Sequence, residues 1–109
     1  MAFLSTYVLL HGADSDSRYW YLVAPELRRR GHVVIAPDLP VGDDAAGLAE
    51  YAATVVEAVG ERREVILVAQ SMAGFTAPMV CEQVAVDRLV FVAAMVPRPG
   101  ETPGEWWEA

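Results

Sequence analysis

The sequence predicts an α/β fold, in which a four-stranded parallel sheet has helices on both faces, in a three-layer αβα arrangement. Four short apolar runs, each typical of a buried strand, recur at roughly thirty-residue intervals, with a helix-like stretch between each pair. That interval is the length of a βαβ unit, whose right-handed crossovers make the strands parallel. The expected strand order is second, first, third, fourth. Ligands of such a sheet bind at the carboxyl ends of its strands.

The first third of the chain is expected to supply two strands and one helix. Thr6–Leu10 is the first strand, and a turn rich in Asp and Ser follows it. Residues 18–30 are expected to form a helix that ends before Gly31, because glycine commonly follows a helix end. Pro25 lies inside this stretch and predicts a kink or two separate helical pieces. Residues 33–36 are the second strand.

The remaining elements continue the same alternation. Asp43 and Asp44 are expected to cap a second helix. The apolar face of this helix consists of residues at helical spacing, namely Leu48, Ala52, Val55 and Val59. Residues 65–69 and 89–93 are expected to be the third and fourth strands, with a helix over residues 75–83 between them.

The third strand is followed by a serine at the point where the chain is expected to reverse into a helix. The sequence there is Ala69-Gln70-Ser71-Met72-Ala73-Gly74. Alanines two positions before and after Ser71 suit a turn so sharp that these positions crowd against each other. At such a turn the backbone N–H of Met72 and the helix dipole can stabilise an oxyanion. Alternatively, Ser71 is an ordinary N-cap of the following helix.

Composition and charge narrow the function classes. A hydrophobic fraction of 54% and a charged fraction of 21% are typical of a globular chain. The net charge of -7 argues against a nucleic-acid partner, since no basic stripe is present to neutralise phosphates. The single cysteine, Cys81, excludes an internal disulfide and is expected to be a buried thiol inside a helix. Zinc-type spacings are absent from the sequence, and we expect no metal or cofactor.

The apolar stretch over residues 2–10 is not expected to direct the chain to a membrane. No Lys or Arg precedes Arg18, so the stretch lacks the basic region of a signal peptide. It is also too short to cross a bilayer. We therefore expect a cytoplasmic protein with no membrane partner.

The end of the sequence differs in composition from the rest. Residues 97–109 contain three prolines and two glycines, and Glu105-Trp106-Trp107-Glu108 has the character of a helix that has barely started. We expect a core over residues 1–96 and a separate region over residues 97–109 that stops within an element.

Several short motifs, taken in order, resemble one family. They are His11-Gly12 after the first strand, Trp20 in the first helix, the run from Gly31 to Pro40, Gln70-Ser71-Met72-Ala73-Gly74, and the run from Phe91 to Gly100. In this order and spacing the chain resembles bacterial α/β-hydrolases related to small plant esterases and hydroxynitrile lyases. The resemblance covers nearly the whole chain. It implies a partial α/β-hydrolase fold, with residues 1–96 as the N-terminal half of the core and residues 97–109 as the start of a truncated lid.

The resemblance also implies roles for residues at the carboxyl ends of the strands. Ser71 would be the nucleophile, and the backbone N–H groups of Ala13 and Met72 would form the oxyanion hole. Gly12 and Gln70 are candidates for the substrate pocket. No metal ligand is implied.

The histidines and acids depart from the family pattern. His11 would belong to the loop architecture, and His32 lies at the far end of its strand, where we expect no chemistry. In the family an acid and a histidine follow the serine, but no histidine follows Ser71 here and residues 94–96 offer no carboxylate. Because loss of the base costs on the order of 10⁴ to 10⁶ in turnover, we expect this chain alone to be a poor catalyst.

Three classes of function remain open. The first is a serine hydrolase that cleaves a small carboxylic ester through an acyl-enzyme, with a hydroxynitrile-lyase-like enzyme as a variant on the same scaffold. The second is a non-catalytic fragment or binding module that uses its open sheet edge. The third is a flavodoxin-like binding domain, although one glycine and two aspartates in the loop after the first strand make a poor phosphate cradle. The oligomeric state stays open.

Overall fold

The computed structural model describes residues 4–108, in which four strands alternate with helices. The strands are β1 (Thr6–Leu10), β2 (Val33–Ile35), β3 (Val65–Gln70) and β4 (Arg88–Val92). The α-helices are α1 (Val23–Arg29), α2 (Leu48–Val59), α3 (Ala73–Cys81) and α4 (Pro103–Glu108). A 3₁₀ turn over Ser17–Trp20 precedes α1.

The four strands form one parallel sheet in the order β2-β1-β3-β4, which confirms the prediction. In the register of the central pair, Val8 of β1 lies beside Leu67 of β3. On the other side of β3, Leu67 lies beside Leu89 of β4. Because the strands are parallel, their carboxyl ends share one edge, and the loops that follow β1, β3 and β4 meet there.

Helices cover both faces of this sheet, as expected. On one face α2 and α3 pack on a core that includes Val8, Leu10, Val55, Val59, Val65, Leu67, Ala69 and Val80. On the other face α1 and the 3₁₀ turn pack on Leu9, Trp20, Ala24, Val34 and Val68. Successive residues of β1 and β3 therefore alternate between two cores, and each fully buried Val or Leu stabilises the fold by about 1.5 to 3 kcal/mol.

The first helical stretch consists of two pieces, as Pro25 predicts. The 3₁₀ turn ends at Trp20 and α1 begins at Val23. Pro25 is the third residue of α1, where a backbone N–H has no partner within the helix. The proline therefore costs no helical hydrogen bond, and it marks the start of α1 instead of a kink.

The prediction that Asp43 and Asp44 cap the second helix is wrong. Helix α2 begins at Leu48, and its N-cap is Gly47. The Glu50 carboxylate accepts a hydrogen bond of 3.1 Å from the backbone N–H of Gly47. Asp43 instead accepts from the N–H of Ala45 at 2.9 Å, so its side chain closes a local Asx turn before the helix.

The predictions for α3 and Cys81 also need correction. Helix α3 spans Ala73–Cys81, two residues earlier than expected at both ends. Cys81 is thus the last residue of the helix, and it is exposed, not buried. The helix starts earlier because the turn that precedes it occupies only Ser71 and Met72.

The last strand is less covered than the others. β4 spans Arg88–Val92, one residue earlier than predicted, and it lies at an edge of the described sheet. Val90 and Phe91 are each 41% exposed, whereas Leu67 of β3 is fully buried. Beyond β4 the indole N–H of Trp106 donates to the carbonyl of Val96 at 3.2 Å. Within residues 4–108, none of the helices has the length and apolar character needed to span a membrane.

Candidate active site

A two-residue turn joins the central strand β3 to helix α3. β3 ends at Gln70 and α3 begins at Ala73, so Ser71 and Met72 make the whole reversal. The φ angle of Ser71 is 53°, in the left-handed region that residues with side chains rarely adopt. Such a conformation costs on the order of 1 to 3 kcal/mol and is found where the surrounding structure enforces it. Ser71 therefore lies in a strained turn at the carboxyl edge of the sheet.

Small residues surround this turn on the core side. Ala69 and Ala73, at the positions two before and two after Ser71, are 0% and 1% exposed. Both belong to the core between the sheet and its helices, where larger side chains have no room. Both alanines are therefore buried in the same core, while the mutual crowding expected from the sequence stays a prediction.

Gly74 is the residue of this region that the sequence did not single out for a role. A Cβ at this position would lie 1.8 Å from the carbonyl oxygen of Met95 and 3.3 Å from the Cβ of Ala94. The backbone after β4 thus passes directly against α3, and only glycine permits that approach. A glycine in the first turn of a helix, where alanine has the higher helix propensity, was the available signal.

The loop after β1 meets the serine turn from the other side. A Cβ on Gly12 would lie 2.6 Å from Oε1 of Gln70 and 3.0 Å from the Cβ of Ser71. Gly12, Gln70 and Ser71 are therefore in contact, although they are far apart in the sequence. The structure brings these three predicted site residues together at the carboxyl ends of β1 and β3.

The Ser71 side chain is partly exposed at this edge. Within the described residues its hydroxyl has no hydrogen-bond partner, and the backbone N–H of Met72 has none either. Met72 directly precedes α3, so its N–H points out of the first turn, where the positive end of the helix dipole lies. A hydroxyl and an unpaired N–H at one helix N-terminus can hold the carbonyl group of a bound molecule.

Ala13 follows Gly12 in an exposed turn. The next residue, Asp14, has a φ of 53°, so the turn is tight. The N–H of Ala13 makes no hydrogen bond to any of the residues 4–108. Its role as a second oxyanion donor stays a prediction.

His11 is a fixed part of the loop after β1. It is 1% exposed, its Nε2 accepts from the N–H of Leu39 at 3.0 Å, and its Nδ1 lies 2.8 Å from the carbonyl oxygen of Gly12. Since Nε2 accepts, the ring proton is on Nδ1 and is donated to Gly12. Both ring nitrogens are therefore engaged, and the imidazole ties the loops after β1 and β2 together.

His32 lies at the opposite edge of the sheet. It precedes β2, whereas Ser71 follows β3, and the two strands run in the same direction. Its Nδ1 accepts from the N–H of Ser5 at 3.1 Å, and its ring packs edge-on against Tyr7 with centroids 4.9 Å apart. Neither histidine of the chain is free to take a proton from Ser71.

Two aspartates near the carboxyl edge of the sheet accept hydrogen bonds from the loop after β1. The backbone N–H of Ser17 donates to Asp38 at 2.8 Å, and this bond, with one from the Ser17 hydroxyl, lowers the pKa of Asp38. The Arg18 side chain and backbone N–H lower the pKa of Asp16 to about 2. Both carboxylates are therefore ionised at neutral pH, and their hydrogen bonds stabilise the loop after β1.

The sequence profile of the alpha/beta hydrolase family matches residues 7–109, which is most of the chain. The chain belongs to the alpha/beta hydrolase family. The strained serine turn after a central strand, the adjoining glycine loop and the parallel sheet are consistent with this membership.

Similar proteins include two plant esterases. Methylesterase 3 of Arabidopsis thaliana is 28% identical over 93% of this chain and 43% of its own length. Methyl jasmonate esterase 1 of Vitis vinifera is 32% identical over 85% of this chain and 40% of its own. The crystal structure of polyneuridine aldehyde esterase superposes with a TM-score of 0.81 at 25% identity, over 97% of this chain and 46% of that one. The chain therefore spans less than half the length of these relatives.

Proposed function

We propose that Ser71 is the nucleophile of a serine hydrolase that cleaves small carboxylic esters through an acyl-enzyme. The observation that carries the proposal is the strained Ser71 turn, whose Cβ lies against Gly12 of the loop after β1 and which is followed directly by the unpaired N–H of Met72. The esterase names of the similar plant proteins support an ester as the substrate class.

The proposed reaction has two steps. Ser71 Oγ attacks the ester carbonyl carbon, its proton passes to a base, and the carbonyl oxygen becomes an oxyanion held by the N–H groups of Met72 and Ala13. The C–O bond to the alcohol then breaks, and the alcohol leaves with that proton. Water attacks the acyl-enzyme in the same way and releases the carboxylic acid.

The base of this reaction is proposed to lie outside residues 1–109. His11 has both ring nitrogens engaged, and His32 is at the other edge of the sheet. Since a triad acts as a unit, residues 1–109 by themselves are expected to turn over esters on the order of 10⁴-fold to 10⁶-fold more slowly than a complete enzyme.

A cytoplasmic location belongs to the same proposal and is tested by cell fractionation.

The test uses the protein expressed from the complete reading frame that contains this chain. We expect hydrolysis of p-nitrophenyl acetate and a methyl ester, and covalent labelling of the Ser71 peptide by a fluorophosphonate. Ser71→Ala is expected to lose both, with turnover lower by about 10⁴-fold or more. Ser15→Ala, in the neighbouring loop, is the control and is expected to keep both. Equal activity in the two variants would overturn the proposal.

A second candidate function is a binding module that uses the open edge of β4. Val90, Phe91 and Val92 are 41%, 41% and 37% exposed on this edge strand. Unpaired edge groups next to exposed apolar side chains favour association with another chain. This candidate would be favoured over the hydrolase if the protein from the complete reading frame binds a protein partner and Ser71→Ala changes neither that binding nor ester hydrolysis.

A further inference from the structure

We propose that the segment that follows β4 positions the nucleophile, and that Gly74 is the positioning residue that lets it do so. The post-β4 segment is defined as residues 92–95, that is, the last residue of β4 and the three residues that follow it. It holds the backbone of Ser71 in its left-handed conformation and thereby sets where the hydroxyl lies relative to the N–H of Met72. This inference rests on the proposed hydrolase function of Ser71, but its structural part can be tested without catalysis.

Two backbone hydrogen bonds join the post-β4 segment to Ser71. The N–H of Ser71 donates to the carbonyl of Val92 at 3.3 Å. The N–H of Met95 donates to the carbonyl of Ser71 at 3.0 Å. Both polar backbone groups of the strained residue are thus bound by the same short segment, so its peptide planes have little freedom to rotate out of the left-handed region.

Gly74 determines whether this segment can approach. Its N–H donates to the same Ser71 carbonyl at 3.1 Å, which places the first turn of α3 against the segment. The carbonyl of Met95 occupies the space of a Gly74 side chain, because a Cβ there would be 1.8 Å from its oxygen and 2.9 Å from its carbon. Any other residue at position 74 must push Met95 away, and the Met95 bond to Ser71 would lengthen or break.

The segment is itself held in an unusual conformation. Ala93 has a φ of 45°, and its side chain is exposed. Residues on both sides of the contact, Ser71 and Ala93, are therefore left-handed without being glycine. Because the Ala93 side chain is exposed, a β-branched residue there would act mainly by disfavouring this φ, so it would disturb the segment through the backbone.

The consequence for catalysis is a specific change in kcat. Displacement of the segment would let Ser71 relax, and its Oγ would leave the position from which it attacks. A displacement of about 1 Å at a reacting atom can cost about 100-fold in rate. Ground-state binding depends on other contacts of the pocket, so we expect KM to change little.

The experiment compares two substitutions with matched controls in the protein from the complete reading frame. Gly74→Ala places a methyl group against Met95, whereas Gly42→Ala places one where no atom lies within 4 Å. Ala93→Val disfavours the left-handed φ, whereas Ala93→Gly accepts it. Measured quantities are kcat and KM on p-nitrophenyl acetate, thermal unfolding, and hydrogen exchange at the amides of Met95 and Val68.

We expect Gly74→Ala to lower kcat by about 100-fold and Ala93→Val by about tenfold, with KM within about twofold. Both controls are expected to match the wild type. Met95 exchange is expected to rise at least about tenfold in both test variants while Val68 in β3 stays protected, which separates local release from unfolding. If Gly74→Ala does not fold, the comparison at position 93 decides.

Unchanged kcat and unchanged Met95 exchange in the test variants would overturn the inference. An increase in KM with kcat unchanged would overturn it as well, because the substitutions would then weaken substrate binding and leave the nucleophile in position. An inactive wild type would overturn the proposed function instead, and the exchange of Met95 would still decide whether Gly74 controls the post-β4 segment.

Discussion

Strands β3 and β4 both support the serine turn, but they lie in very different surroundings. β3 is central, and its Val65, Leu67 and Ala69 are fully buried. β4 is an edge strand whose Val90 and Phe91 are each 41% exposed, yet the segment after it binds both backbone groups of Ser71. Stability is therefore expected to depend on β3, whereas the position of Ser71 also depends on a poorly covered strand.

The largest expected effect comes from removing core volume in β3. Leu67→Ala would leave a cavity where Leu67 is 0% exposed between the sheet and its helices. We expect the free energy of unfolding to fall by about 2 to 5 kcal/mol, measured by urea denaturation. Val90→Ala in β4 is the matched substitution and is expected to change it by less than about 1 kcal/mol. Equal losses would show that the two strands contribute alike.

The contact between Gly12 and the serine turn is expected to be the next most sensitive. Gly12→Ala would push the Gln70 side chain and Ser71 away from the loop after β1, since the added Cβ would lie 3.0 Å from the Ser71 Cβ. Overpacking of this kind costs about 1 to 3 kcal/mol, and we also expect fluorophosphonate labelling of Ser71 to slow. Gly42→Ala serves as the control in open space. Unchanged labelling would mean that the β1 loop does not constrain Ser71.

A charge on the edge strand tests its exposure. Val90→Lys is expected to reduce self-association of the protein, because a lysine on an edge strand hinders pairing with another chain. The free energy of unfolding is expected to stay within about 0.5 kcal/mol of the wild type. Light scattering at increasing protein concentration measures the association. A large loss of stability would instead indicate that Val90 is buried in solution.

The smallest expected effect is the contribution of the Asp38 carboxylate to the fall in the free energy of unfolding at acid pH. Hydrogen bonds from Ser17 lower its pKa in the folded chain, so its contribution is complete above the unfolded pKa of about 3.9. That contribution is lost as pH falls through the lower folded pKa. Asp38→Asn is expected to flatten the fall in stability below about pH 4, as measured by urea denaturation at several pH values. An identical pH profile would contradict it.

Much of the fold could be predicted because it follows from local pattern. Apolar runs and helical spacing gave four parallel strands in the correct order, and Pro25 indicated a two-piece first helix. The ends of the elements were less accurate, since caps depend on competition between nearby side chains. Asp43 has the right chemistry for a cap, but its carboxylate accepts a hydrogen bond from the nearby N–H of Ala45. At the start of the helix, the N–H of Gly47 donates to Glu50 instead.

The candidate site was predictable only where its residues are neighbours in sequence. Ser71, Met72 and the flanking alanines belong to one turn, so their spacing carries the information. The support from residues 92–95 could not be predicted, because backbone hydrogen bonds leave no side-chain pattern. Cys81 was misjudged because its exposure depends on where α3 ends.

By itself the sequence determined the layered parallel architecture and the serine turn, because both arise from contacts within about one βαβ unit. Tertiary structure alone decided that Gly12 meets Ser71, that both ring nitrogens of His11 are engaged, and that Met95 lies against Gly74. Those contacts join backbone segments that are distant in the chain. Backbone groups are the same in every residue, so only folding reveals which of them meet.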